Sequence, residues 1–162
     1  MIGNYLRLPE AELNRILRDP AAITSVLYPR NGIELPRERH LDIDKAWHLI
    51  HFLLTGDEWE GTEPLRNAVL GGAEIGKEDV GYGPARYLTP AQVSNVAVAL
   101  ASIAPDQLWD QFDLQTVREA DIYPCWEGNN EDREYILSYF QMLQNFFTVA
   151  SQENNAVILY LN

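Results

Sequence analysis

Over residues 41–56, apolar side chains fall on almost every side of a helical projection. Ile43, Ala46, Trp47, Leu49, Ile50, Phe52, Leu53 and Leu54 leave little room for a solvated face. The pattern predicts a helix enclosed by other elements, the central one of the fold, closed by Gly56 as a left-handed cap. Its few polar side chains, Asp44, His48, His51 and Thr55, follow spacings of four, three and four and so line one narrow stripe. That stripe is the first place to look for chemistry.

The rest of the chain supplies the enclosure. Over residues 4–8, Leu6 and Leu8 alternate with Tyr5 and Arg7, which predicts a half-buried strand ended by Pro9. Glu10 and Glu12 then open a helix through Leu13, Ile16 and Leu17, where carboxylates suit the positive end of the helix dipole. Asp19-Pro20 interrupts it, a second short helix covers 21–27, and the polar stretch 29–39, with Asn31-Gly32 and Pro36, reads as a surface loop. After Gly56 comes an acidic loop, 57–63, carrying Trp59, and then a helical turn over 64–70. Gly71, Gly72, Gly76, Gly81 and Gly83 are too close together for a regular element and predict a loop that turns tightly or approaches something closely.

Thr89-Pro90-Ala91-Gln92 is a capped helix start, followed by the buried stripe Val93, Val96, Ala97, Leu100 and Ile103. Short helices follow from Pro105 and after Asp113. The longest helix, 130–150, turns Ile136, Tyr139, Phe140, Leu143, Phe146, Phe147 and Ala150 inward and Ser138, Gln141, Gln144, Asn145 and Thr148 outward. Residues 156–161 are apolar in both phases, the mark of a strand inside a sheet. Neither terminal strand has a hairpin partner in sequence, so pairing with each other is the simplest way to satisfy their backbone groups. The expectation is an α+β fold: a single mainly helical domain spanning 1–162, with a small sheet containing the N- and C-terminal strands.

Charge narrows the function classes. With 24 acidic against 12 basic residues the net charge is -12. A nucleic-acid partner would need a basic face, and anionic membrane surfaces are disfavoured for the same reason. A basic protein partner is the class this charge favours. The N-terminal residues show no secretion signal and no run of about 18 apolar residues occurs. The single cysteine, Cys125, fits a reducing compartment, and a cytoplasmic location is expected.

Four features could carry chemistry. Asp44, His48 and His51 have spacings that let carboxylate and imidazoles converge on a metal, yet no third and fourth ligand is evident, and a structural hydrogen-bond network is the preferred reading, with no metal and no cofactor. His48 with Cys125 would make a nucleophilic pair if the fold joined them, but a buried, unreactive Cys125 is preferred. Residues 71–78 nearly spell a phosphate-binding loop, but Glu78 stands where a serine or threonine is required, and Gly81, Gly83 and Pro84 oppose the helix that should follow. Tyr82, Arg86 and Tyr87 flank the glycine-rich stretch and could line a pocket, Arg86 gripping an anion, or simply anchor the loop. Trp59 and Trp126 sit in acidic segments expected to be exposed and are the natural anchors if a protein partner exists, the alternative being that they are tucked against the core.

The run HLDIDKAWHLIHFLLTG (residues 40–56), with residues 65–71, YGPARYLT (82–89) and IYP (122–124), resembles the YfbM-like family of uncharacterised bacterial proteins over nearly the whole chain. The resemblance implies a small single-domain α+β protein, bacterial and cytosolic, and supplies no reaction, cofactor or catalytic residue to carry over. Two function classes remain. The preferred one is a non-enzymatic binding or protein-interaction module, inhibitor- or immunity-like, acting on a basic partner. The other is a small-molecule-binding protein or hydrolytic enzyme in which Asp44, His48 and His51 meet Tyr82 and Arg86 in one cleft. In either case the functional surface is expected around the central helix and the glycine-rich stretch, the outer face of the long helix reading as merely solvated. Oligomeric state is left open.

Overall fold

A computed structural model of the chain describes residues 1–30 and 34–162, so the expected Asn31-Gly32 turn lies outside the described residues. Its centre is an antiparallel sheet of five strands in the order β2-β1-β5-β4-β3. These strands are β1 (Gly3–Pro9), β2 (His40–Asp42), β3 (Ala73–Asp79), β4 (Pro84–Leu88) and β5 (Asn155–Leu161). β1 pairs with β5 along its whole length, from Gly3 opposite Leu161 to Pro9 opposite Asn155, as the unpartnered terminal strands require.

The half-buried reading of β1 is corrected: every residue from Gly3 to Leu8 is buried. The strand is flanked at both edges by β2 and β5 and has a core packed on each of its faces. Tyr5 points into the larger core with Leu88, Val157 and Leu159. Leu6 and Leu8 point into a second core with Ala156, Ile158 and the apolar sides of α1 (Glu10–Arg18) and α2 (Ile23–Leu27). Arg7 is tolerated inside because its Nε and Nη2 donate to the Glu38 carbonyl at 3.0 and 2.7 Å and its Nη1 pairs with Glu153.

The central helix also begins later than the pattern predicts. Leu41 lies in β2 opposite Tyr5, and Asp44 has φ +47, a left-handed conformation that no helix can run through. The Asp42 carboxylate holds that corner by accepting from the Asp44 backbone N–H at 2.6 Å. A 3-10 turn, Asp44–Ala46, leads into α3 (Trp47–Thr55), in which every residue from Trp47 to Leu54 is buried. Gly56 closes it in the left-handed region at φ +74, as expected.

The expected glycine-rich loop is instead the β3–β4 hairpin. Gly72, at φ +83, allows its close approach: a Cβ there would lie 2.3 Å from the Tyr87 carbonyl oxygen. The register shifts between Glu74 and Asp79, and the Asp79 carboxylate closes the turn by accepting from the Gly81 and Gly83 N–H groups.

The remaining helices are α4 (Pro90–Ala101), α5 (Pro105–Trp109), α6 (Leu114–Glu119) and α7 (Asn130–Gln152). α4 starts with the capping box formed by Thr89 and Gln92, and Asn129 caps α7 by accepting from the Asp132 N–H at 2.9 Å. Ile103 lies just past the end of α4, half-buried against the larger core. The core thus sits between the sheet and the layer of α3, α4 and α7. Among the described residues, no helix is long and apolar enough to cross a membrane.

Candidate functional site

His48 lies in the first turn of α3, and its ring ties two loops together. Nδ1 accepts the Tyr123 backbone N–H at 3.0 Å, which leaves the proton on Nε2 to be donated to the Glu58 carbonyl, also at 3.0 Å. The imidazole stacks on Trp47 (ring centres 4.6 Å apart, planes 10°) and is covered by Trp59 at 4.7 Å. Burial pushes its pKa below the ordinary value, against the opposing pull of the Glu58 carbonyl and of the Glu58 and Asp121 carboxylates.

His51 is completely enclosed, and neither ring nitrogen makes a well-formed hydrogen bond among the described residues. Burial takes its pKa down to about 4; the Glu60 backbone and Asp57 resist the shift, while His48 and Arg66 add to it. Arg66 Nε is likewise buried without a partner among the described residues, although its Nη2 pairs with Glu60 at 2.9 Å. Thr55 donates to the His51 carbonyl at 2.9 Å. Asp44, off the helix, accepts from the Tyr135 hydroxyl of α7 at 2.9 Å. The polar stripe therefore comes apart into a bridge, a sealed imidazole and a contact to α7. Among the described residues, no group of three or more His, Cys, Asp and Glu side chains is placed to hold a metal ion.

The segment after α6 reverses two expectations. Trp126 is buried, donating its Nε1–H to the Tyr123 carbonyl at 3.2 Å and packing on Tyr135, whereas Cys125 is exposed. The chain turns the larger apolar ring inward, and its smaller neighbour is left outside.

Trp59, Tyr82 and Arg86 do meet. They line a cleft of about 210 Å³ together with Tyr5, Leu70 and Leu159. Trp59 is 49% exposed and Tyr82 60% exposed. Arg86 is fixed by three hydrogen bonds: Nε to the Gly71 carbonyl at 3.1 Å, Nη2 to the Gly72 carbonyl at 2.7 Å, and Nη1 to Glu74 at 3.1 Å. Tyr87 alternates to the other face of β4 and packs against the second core. Neither Asp44 nor either histidine of α3 lines the cleft. The loop bearing Trp59 is shaped by Asp57, whose carboxylate accepts from the Trp59 and Glu60 N–H groups at 3.0 and 2.8 Å; those bonds hold its pKa below the usual carboxylate range.

Tyr5 and Leu159 escaped the sequence reading. Tyr5 sits opposite Leu159, and Leu159 opposite Arg86, so the three form one row across β1, β5 and β4. Nothing local in the sequence marks such a row, because it follows from long-range register.

The chain is 27% identical over 129 residues to protein YfbM of Escherichia coli (strain K12), an overlap covering 76% of this chain and 73% of that protein. Its fold superposes on the crystal structure of YfbM from Escherichia coli, described as a protein of unknown function, with a TM-score of 0.75, 25% identity and 98% of each chain covered. The family described as "Domain of unknown function (DUF1877)" matches residues 1–160. With that match running almost from end to end and the same fold seen in YfbM, the chain belongs to the DUF1877, YfbM-like family.

Proposed function

We propose that this protein is a non-enzymatic binding module that takes up a segment of a basic partner protein at the cleft between Trp59, Tyr82 and Arg86. The observation that carries the reading is Trp59: a large aromatic ring, 49% exposed, at the mouth of an apolar cleft and flanked in its loop by Asp57 and Glu58, with Glu60 next to it shared with Arg66. Such a site offers a cationic segment apolar area, a ring face and nearby carboxylates at once. The net charge of -12 adds long-range attraction for a basic protein. Arg86 does not oppose it, since its guanidinium is already matched by Glu74 and two carbonyls. The state of the histidines supports a non-catalytic role. A general base must reach the proton it takes, while His48 spends both ring nitrogens on backbone groups and His51 is sealed.

The test is capture of proteins from a bacterial lysate on the immobilised chain, comparing it with Trp59→Ala and with Glu58→Gln/Glu60→Gln, each verified as folded. A basic protein should be retained at low salt, released at high salt and lost with either variant. Retention of the same proteins by Trp59→Ala, or indifference to salt, would overturn the reading.

A further inference from the structure

We infer that the outer side of the α4–α7 pair is a surface on which two copies of this chain associate. In a protein of net charge -12, no Asp, Glu, Lys, Arg or His occurs at residues 87–105, which contain α4, or at 135–152, which make up most of α7. The two helices pack against each other, and Gln144 closes their seam by donating from Nε2 to the Leu100 and Ile103 carbonyls at 2.7 and 2.9 Å. The uncharged stretches therefore form one surface rather than two.

That surface is not merely solvated, as its pattern suggested. Val98 on α4 is 71% exposed, and Met142 and Val149 on α7 are 43% and 36% exposed. The same two helices expose the amides Asn95, Gln141 and Asn145. At 1.5 Å per residue the uncharged part of α7 is about 27 Å long and α4 about 18 Å. Two helices about 10 Å apart then give a footprint of about 20 by 25 Å, about 500 Å² per partner, the scale of a weak, concentration-dependent association rather than of the roughly 800 Å² of a standard interface.

The chemistry of the face selects its occupant. A basic protein finds no carboxylate on the two uncharged stretches to pair with, only Glu63 at the rim beside Asn95 and Val98, and an anionic surface finds no cation on them. A second copy is repelled by the acidic remainder of the molecule, and this is the region where that repulsion is weakest. Around a twofold axis each residue meets an equivalent of itself or of a neighbour. Amides carry both donors and acceptors and can pair with their own kind, whereas carboxylates cannot. Val98, Met142 and Val149 would leave water in the same step.

Sedimentation of the intact protein, from micromolar to millimolar concentration, tests this. A species of twice the 18.5 kDa chain mass should form. It should strengthen between about 0.02 and 0.5 M salt, because screening removes the repulsion between acidic bodies. Asn145→Glu and Asn145→Lys should each weaken association at least about tenfold, with circular dichroism confirming an unchanged fold, and an equimolar mixture of the two should restore it. A monomer at every concentration and salt, a dimer that weakens with salt, or one indifferent to both substitutions would overturn the inference.

Discussion

Replacing His51 by leucine should make the protein less sensitive to acid. The imidazole is fully enclosed, has no well-formed hydrogen bond to either nitrogen among the described residues and is held at a pKa of about 4 against an ordinary 6.5. Because the folded value lies below the unfolded one, the unfolded chain takes up this proton first. The contribution to stability is complete above about pH 6.5 and is lost as pH falls towards 4. At about 1.4 kcal/mol per pH unit, that interval amounts to about 3 kcal/mol. Leucine occupies nearly the same volume, binds no proton and removes two unpaired buried nitrogens, each of which costs about 1–3 kcal/mol. The variant should therefore be at least as stable at neutral pH and should pull ahead as the solution is acidified. Urea unfolding of both proteins between pH 7.5 and 4.5 measures this directly, since the carboxylates that also titrate are shared and cancel in the difference. Parallel stability curves for the two proteins would refute the reasoning.

Cys125 is exposed, so a thiol reagent should label the native protein about as fast as the unfolded chain; strong protection would show the segment packed differently. Removing residues 156–162 takes out nearly all of β5, which pairs with both β1 and β4, and should abolish cooperative thermal unfolding; a truncated chain that keeps its melting temperature would contradict the sheet. Arg86→Ala removes two side-chain bonds to the Gly71 and Gly72 carbonyls and should cost about 1–3 kcal/mol and speed amide exchange in the β3–β4 hairpin. Arg86→Lys should recover only part of this, because an ammonium cannot reproduce the fork, and unchanged exchange in both variants would count against the anchoring role.

What could be read from the sequence was what is decided locally. The Thr89–Gln92 capping box, the long periodic face of α7, the Gly56 cap and the doubly apolar β5 each follow from neighbours a few residues apart. The start of α3 was misplaced because Leu41 and Ile43 continue the apolar pattern of the helix backwards, while the break rests on Asp44 adopting a conformation that its residue type does not advertise. The β3–β4 hairpin was hidden by its own glycines, which mark a bulge and two tight approaches inside regular pairing. Trp126 and Cys125 exchanged places because which of two adjacent side chains faces inward depends on the direction of a turn. At the cleft, Trp59, Tyr82 and Arg86 could be named one by one, but their meeting depends on the β1–β5–β4 register, which joins residues from opposite ends of the sequence.

That register also governs the order in which the molecule can be made. β1 leaves the ribosome before its long neighbour β5, which is about 150 residues behind it. Closing so large a loop directly costs about 3 kcal/mol more than closing a tight hairpin, a cost that falls where the β1–β2 and β4–β5 pairings form first and shorten it. While synthesis proceeds, Tyr5, Leu6 and Leu8 have no β5 to lie beside, and α3 waits for the sheet floor it packs on. Every nascent chain that has not yet reached β5 therefore carries an apolar strand with one edge open, the kind of edge on which other chains can add.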